Sequence, residues 1–203
     1  MQLFCFTVAG GNASFFDPLE EACAAQIEFV KLEYPGHGFR RKEKLCDTFQ
    51  ELSIDLYGQI KEHYSGGEYA VLGYSMGSIA VLETLRVLTE RNELPYPCHV
   101  FLAAHEPKKI VDLEKCNQAE LDEYVKNRTI LFGGLPEQLV GNKLFWRVYL
   151  PLYKADYFMI SRYNFDQAAY TSDIPATVFY SEEDTPRAEM EHWKRYFVGC
   201  CEF

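Results

Sequence analysis

The stretch YAVLGYSMG, residues 69–77, decides the fold, because an apolar run leads directly into Gly-x-Ser-x-Gly. A strand that enters this pentapeptide and continues as a helix is typical of a nucleophile elbow, where the serine occupies a strained tight turn and the glycines leave room for neighbouring backbone. Apolar residues then recur at helical spacing from Ile79 to Leu88. We therefore predict that Ser75 is a nucleophile at the carboxyl edge of a sheet, and a simple glycine-rich turn is the alternative.

Apolar strands alternate with amphipathic helices on both sides of this turn. The predicted strands are residues 3–8, 27–34, 69–74, 99–104, 174–184 and 198–203. Predicted helices cover residues 15–25, with Asp17 as N-cap, and residues 47–64, 78–92 and 187–197. This alternation predicts an α/β fold, with a mainly parallel sheet and helices on both of its faces.

The alternation stops between residues 106 and 170, where the sequence predicts several helices broken at FGGLP (132–136) and at YLP (149–151). Neither a repeat nor a flexible linker is evident in the sequence. We expect one domain over residues 1–203 with this segment as an insertion.

Composition excludes several classes of function. The formal net charge of −10 opposes binding to nucleic acid or to an anionic membrane. Seven cysteines without a CxxC pair or a zinc-like spacing favour a reducing compartment, and no signal peptide or membrane span is predicted. We expect a cytoplasmic protein without a membrane or nucleic-acid partner, and a monomer by default.

An acyl-transfer serine needs two backbone N–H donors for the oxyanion. Met76, the residue after the nucleophile, supplies the first, and Ala9 in the loop TVAGGN after the first strand is our choice for the second; a plain strand-ending loop is the alternative. The serine also needs a base and a carboxylate that orients it. Asp184, after the strand TVFY, is the candidate acid, and the alternative is a helix N-cap beside solvated Glu182 and Glu183.

The base is absent from its expected place. The sequence contains five histidines: His37, His63, His99, His105 and His192. None of them lies in a loop after a strand that itself follows Asp184. His37 in PGHG and His105 in AAHEP, both at predicted strand ends near the catalytic edge, are fallback candidates. Ordinary packing or loop hydrogen bonds are the alternative for both.

Several motifs in order resemble the type II, or external, thioesterases of nonribosomal peptide and polyketide synthetases, within the α/β-hydrolases. They are LFCFTVAGG, YPGHGFR, YAVLGYSMGSIAVLE, EP (106–107), FGGLP, KADY (154–157) and SEED (181–184). The resemblance implies an acyl-enzyme on Ser75, a base oriented by Asp184, an oxyanion held by Ala9 and Met76, and a helical lid at about 107–165 over an acyl pocket.

The chain also departs from the family pattern. Thr7 and Val8 replace a usual Pro-His, Tyr74 replaces a usual histidine, and PGHG replaces the common PGRG. The family's catalytic histidine lies in a Gly-His-Phe-like stretch after the last strand, whereas this sequence stops at CCEF. We expect the natural chain to continue and to supply that histidine; a truncated or inactive relative is the alternative.

The resemblance implies hydrolysis of acyl thioesters, often misprimed, from the phosphopantetheine arm of an acyl or peptidyl carrier protein, with no metal or organic cofactor. A small-molecule carboxylesterase or lipase is one alternative, and a noncatalytic acyl-carrier binding module is the other. The basic run RRKEK, containing Arg40, Arg41, Lys42 and Lys44, is a candidate docking patch for an acidic carrier, or only a solvated loop.

Overall fold

The structure is a computed structural model that describes residues 1–23, 25–109, 112–131, 135–168 and 170–203. Six strands form one sheet: β1 (Gln2–Phe6), β2 (Glu28–Lys31), β3 (Tyr69–Tyr74), β4 (His99–Ala103), β5 (Ala176–Phe179) and β6 (Cys201–Glu202). Their order is β2-β1-β3-β4-β5-β6, and every neighbouring pair is parallel. The predicted parallel α/β sheet is confirmed, and the carboxyl ends of the strands lie along one edge.

Seven α-helices connect or follow these strands in the described part of the chain. They are α1 (Asp17–Ala22), α2 (Phe49–His63), α3 (Met76–Arg91), α4 (Gln118–Leu131), α5 (Glu137–Val140), α6 (Lys143–Arg162) and α7 (Arg187–Met190). Short 3₁₀ turns occupy residues 13–16, 38–40, 113–115, 165–167 and 191–195.

Helices α2 and α3 cover one face of the sheet. The apolar positions of α2 follow a 3.6-residue period, and its first turn is capped because the Thr48 hydroxyl accepts the Glu51 N–H at 3.1 Å. The two helices form a common buried cluster with Phe4, Val71 and Val100, which are neighbours in register on adjacent strands. This packing holds β3 and the start of α3 in a rigid setting.

The opposite face of the sheet is less covered. Leu3, Cys5 and Leu72 form a smaller buried cluster with Phe16, from the turn that precedes α1. Farther along this face, the Phe179 side chain remains exposed. The two faces therefore differ strongly in the depth of their packing.

The insertion between β4 and β5 contains α4, α5 and α6. Buried residues of α4 and α6 form a second cluster that includes Leu121, Val125, Trp146 and Leu150. Ala9, in the loop after β1, packs against both this cluster and the main core. The insertion therefore lies against the carboxyl edge of the sheet. None of the helices in the described ranges is long and apolar enough to cross a lipid bilayer.

The predicted helix break at YLP is wrong, since α6 runs through Pro151 without interruption. A proline inside a helix removes one hydrogen bond and costs about 3 kcal/mol. Buried side chains on both sides of it, Leu150 before and Tyr157 and Ile160 after, hold the helix together. At the other predicted break, FGGLP, residues 132–134 lie outside the described residues.

Several predicted boundaries also need correction. Asp17 is not the N-cap of α1; Phe16 occupies that position without a side-chain hydrogen bond, while Asp17 binds Lys31. Helix α3 begins at Met76 rather than at Ser78. The predicted helix 187–197 is instead a single α-helical turn followed by a 3₁₀ turn. Trp193 and Phe197 are both buried in the core in this arrangement.

Candidate active site

Ser75 lies between the last residue of β3 and the first residue of α3. Its backbone has φ 53° and ψ −118°, a conformation that costs a non-glycine residue free energy, and its side chain is partly accessible. The Ser75 N–H donates to the carbonyl of Ala103 on β4 at 2.8 Å, which ties the turn to the neighbouring strand. The predicted sharp turn at the carboxyl edge is confirmed.

Both glycines of the pentapeptide are required by close backbone contacts. A Cβ atom on Gly73 would lie 2.5 Å from the carbonyl oxygen of Gly77, and a Cβ on Gly77 would overlap the carbonyl oxygen of Phe6 at the end of β1. Neither neighbour is a side chain that could rotate away. The glycine spacing is therefore a packing requirement of this turn.

Ser78 is a structural residue of the turn that sequence reasoning missed. Its buried hydroxyl lies 3.0 Å from the carbonyl oxygen of Gly73 and 3.1 Å from that of Ala103. It therefore connects the end of β3 with the end of β4. A serine three positions after Ser75 was the available signal, although serine at such a position has many other uses.

The two predicted oxyanion donors lie in segments that contact one another. Met76 is the first residue of α3, where backbone N–H groups lack partners within the helix. Ala9 lies in a turn in which Gly11 N–H donates to the Val8 carbonyl at 3.0 Å. The approach of Gly77 to Phe6 brings the end of β1, and hence this turn, against the start of α3.

Asp184 lies beyond the carboxyl end of β5, with β4 between it and β3. It is exposed in a turn closed by the bond from Ser181 N–H to the Thr185 carbonyl, at 3.1 Å. The N-cap of α7 is Pro186, so the alternative role of Asp184 as a helix N-cap is wrong. The strand order places Asp184 and Ser75 on the same edge of the sheet.

Neither fallback histidine is hydrogen-bonded to Ser75. His37 is buried, and its ring nitrogens lie 2.9 Å from the Pro35 carbonyl oxygen and 2.9 Å from Asp156 Oδ2. His105 Nδ1 lies 2.6 Å from the Glu106 carbonyl oxygen, and burial lowers the pKa of His105. His105 thus makes a local loop contact, whereas His37 contacts both its own loop and Asp156 on α6.

Within the ranges that the structure describes, the other three histidines are not hydrogen-bonded to Ser75 either. His63 contacts the Gln59 carbonyl near the end of α2, and His99 contacts the Thr177 hydroxyl across β4 and β5. His192 is exposed in the 3₁₀ turn after α7. The structure thus brings Ser75, the amides of Met76 and Ala9 and the Asp184 carboxylate to one edge of the sheet, but none of these five imidazoles is hydrogen-bonded to Ser75.

A cavity of about 600 Å³ lies between α4, α6 and the segment around Cys46 and Asp47. Its walls combine apolar side chains, such as Trp146 and Phe158, with the cations Lys154 and Arg162. Ser75 does not line it. The acyl pocket over Ser75 that the family resemblance implies stays a prediction.

Two residues of the basic run RRKEK, the candidate docking patch, are engaged in ion pairs. Arg40 binds Asp55 and Glu43 and also donates to the Glu33 carbonyl at 2.9 Å, so it is a structural cation. Lys44 is exposed and pairs with Asp47 at 2.9 Å. The ion pairs identified in the described ranges involve neither Arg41 nor Lys42, and both side chains are exposed.

Known proteins share this architecture. The family model described as "Thioesterase domain" matches residues 1–196. "Thioesterase PikA5" of Streptomyces venezuelae is 24% identical over 200 residues, covering 98% of this chain and 70% of that protein. "S-acyl fatty acid synthase thioesterase, medium chain" of Rattus norvegicus is 26% identical over 207 residues, covering 98% and 76%. The solved structure of RedJ, a thioesterase from the prodiginine biosynthetic pathway of Streptomyces coelicolor, matches with TM-score 0.87 and 26% identity, over 100% of this chain and 79% of that one.

Proposed function

The chain belongs to the thioesterase family, as a thioester hydrolase related to the type II enzymes of nonribosomal peptide and polyketide pathways, and on that premise we propose that it releases acyl groups from the phosphopantetheine arm of a carrier protein. The observation that carries the proposal is the strained Ser75 at the carboxyl edge, set between a helix N-terminus and a glycine-rich loop. The acyl groups include misprimed units that block a synthetase.

The proposed reaction has two halves. Ser75 Oγ attacks the thioester carbonyl carbon while a base takes its proton, and the amides of Met76 and Ala9 hold the oxyanion that forms. The C–S bond then breaks, and the pantetheine thiol leaves with the proton. In the second half, water, deprotonated by the same base, attacks the carbonyl carbon of the acyl-serine. The bond from that carbon to Ser75 Oγ then breaks, the acyl group leaves as the carboxylic acid, and the base returns its proton to Ser75 Oγ.

Asp184 is proposed to orient that base. A carboxylate on the same edge as the nucleophile can accept the imidazole N–H and stabilise the imidazolium that forms during attack. Its exposure in the turn after β5 is compatible with a partner that packs over it.

We propose that the base is a histidine other than the five in the sequence, because none of them is hydrogen-bonded to Ser75. The intact mass of the natural gene product tests this directly. A mass several kilodaltons above 23.5 kDa would show that the natural chain has further residues, which can carry the imidazole. A mass of 23.5 kDa would instead favour the noncatalytic binding module.

The carrier protein is proposed to dock beside the segment that contains Arg41 and Lys42. Both cations are exposed and follow the loop 35–38 at the carboxyl edge. A local positive patch can steer an acidic carrier even though the whole chain is negative.

The test of the proposed function uses the complete natural chain and an acyl group on a carrier protein. Ser75→Ala is expected to lower hydrolysis by at least about 10³-fold, as loss of a triad nucleophile does. Ser65→Ala, at an exposed serine after α2, is the matched control and should retain full activity. Retention of most activity by Ser75→Ala would rule out the assignment, and a preference for free esters over carrier thioesters would favour the carboxylesterase alternative.

A further inference from the structure

The carboxylate of Asp156, on α6, binds the loop that follows β1. Gly10 N–H donates to Asp156 Oδ2 at 2.6 Å, and Asp156 is 2% exposed. Gly10 has φ 68°, and a Cβ atom there would overlap the ring of Tyr153, almost one turn earlier on α6. Helix α6 thus lies directly against this loop, and a charge-assisted hydrogen bond joins the two.

His37 binds the same carboxylate oxygen. Its Nε2 lies 2.9 Å from Asp156 Oδ2 and its Nδ1 lies 2.9 Å from the Pro35 carbonyl oxygen. Both partners are hydrogen-bond acceptors, so the ring satisfies both contacts only when both nitrogens carry protons. The geometry therefore fits a buried imidazolium paired with a carboxylate, with both side chains 3% exposed.

The other end of the loop is held by a neighbour of His37. The Tyr34 hydroxyl donates to the Thr7 carbonyl at 2.9 Å, and the Tyr34 ring lies edge-on to the His37 ring at 5.7 Å. The segment from Thr7 to Gly10 is consequently held between Tyr34 and Asp156. Ala9 lies within this held segment.

We propose that Asp156 is a positioning residue for the oxyanion site, and that protonated His37 holds Asp156 in place and makes the site sensitive to pH. The inference rests on the proposed function, in which the Ala9 amide is an oxyanion donor. The Gly10 N–H belongs to the Ala9–Gly10 peptide, so the bond to Asp156 fixes that peptide and, through the Ala9 Cα, restricts rotation of the neighbouring Val8–Ala9 peptide, which carries the Ala9 N–H. When His37 loses a proton, its charge pairing with Asp156 is lost in either tautomer and one of its two acceptors loses its donor, which weakens the hold on Asp156 and therefore on the loop.

Other ionisable groups around His37 and Asp156 support this assignment. They are Glu33 before the loop 35–38 that contains His37, Arg40 after that loop, Tyr34, Cys46 and, on α6, Tyr153. Burial alone would lower the pKa of His37, but the Asp156 carboxylate, its hydrogen bonds and Glu33 raise it overall. Burial raises the pKa of Cys46 to about 11 and also raises the pKa of both tyrosines, so these three remain neutral near pH 7.

The kinetic test compares four variants of the complete natural chain on an acyl-carrier thioester. Asp156→Ala should lower kcat on the order of 10-fold with KM within about twofold, less than the ~10²–10³-fold loss on deleting a whole oxyanion donor. The wild-type kcat should fall at alkaline pH, and His37→Arg, which keeps a cation at every pH, should remove that fall. His37→Gln should lower kcat across the whole pH range. Asp166→Ala, at an exposed aspartate after α6, is the control and should match the wild type.

A second readout does not depend on turnover. The Gly10 amide resonance should shift with the same midpoint as the His37 ring in the wild type, and should remain constant in His37→Arg. A folded Asp156→Ala protein with wild-type kcat would overturn the inference. A Gly10 amide resonance that does not shift as His37 titrates would overturn it as well. If Asp156→Ala does not fold, the His37→Arg and His37→Gln pair decides. A wild type that hydrolyses no thioester would refute the proposed function instead. The Gly10 resonance would still decide whether His37 and Asp156 hold the Gly10 amide.

Discussion

The carbonyl oxygen of Phe6, at the end of β1, occupies the space that a Cβ atom on Gly77 would need. This contact joins the first strand to the first turn of α3. It is the reason that the loop carrying Ala9 lies beside the turn at Ser75, although the two are far apart in sequence. Glycine at position 77 thus serves both the packing of the sheet and the geometry of the site.

Gly77→Ala should destabilise the fold, because backbone rather than a flexible side chain fills the space. We expect a loss on the order of 1–3 kcal/mol or more in the free energy of unfolding, measured by urea denaturation. The matched control is Gly58→Ala on α2, where nothing lies within 4 Å of the added atom. That control should gain roughly 0.5–1 kcal/mol from helix propensity. Equal stabilities for the two variants would contradict the packing account.

Asp184→Asn should leave the fold intact and lower kcat by about 10³–10⁴-fold, since an amide cannot stabilise the imidazolium or select its tautomer. Glu183→Gln, at the adjacent exposed carboxylate, is the control and should change kcat less than twofold. Steady-state hydrolysis of an acyl-carrier thioester by the complete natural chain measures both. A similar small effect for the two variants would remove Asp184 from the proposed triad.

The unfolding free energy should fall as pH rises above the ordinary pKa range of histidine. The pKa of His37 is raised in the folded state, because the Asp156 carboxylate and its hydrogen bonds outweigh the lowering effect of burial. A raised pKa gives stability that is fully present below the unfolded value, about 6.5, and is lost as pH rises through the folded value. Urea unfolding at pH 6 and pH 9 should show a larger drop for the wild type than for His37→Gln. Parallel drops would indicate that His37 is not an ion pair.

Thiol reactivity should follow burial. Cys98 and Cys200 are exposed, whereas Cys5 is buried on the sheet, and desolvation raises its pKa to about 12. At pH 8 only about one Cys5 in 10⁴ would be a thiolate, which is the reactive form. Mass spectrometry after treatment with a disulfide reagent should find Cys98 and Cys200 modified within minutes and Cys5 only after unfolding. Early modification of Cys5 in the folded protein would contradict the burial of β1.

Carrier docking can be separated from catalysis by charge reversal. Arg41→Glu should raise KM for an acyl-carrier substrate about three- to tenfold at low salt, with kcat unchanged, and the effect should shrink at high salt. The control is Arg91→Glu at the end of α3, which the parallel topology places toward the opposite edge of the sheet. Unchanged KM for Arg41→Glu would show that this segment is only a solvated loop.

Much of the fold was predictable because its signals are local. The strand YAVLGY matches β3 residue for residue, and the parallel sheet follows from the alternation of strands and helices. The errors arose where tertiary packing overrides local preference. Packing on both sides of Pro151 keeps α6 continuous, and burial of Trp193 converts a predicted long helix into two short turns.

The sequence by itself determined the strained turn at Ser75, since the requirement for two glycines and an apolar strand is contained in nine adjacent residues. Only the tertiary structure brought Gly10, His37 and Asp156 together, and the last two are 119 positions apart in sequence. No periodicity or motif spacing in the sequence predicts such a contact. It arises when α6 packs across the carboxyl edge of the sheet and excludes water, leaving buried polar groups that must satisfy one another.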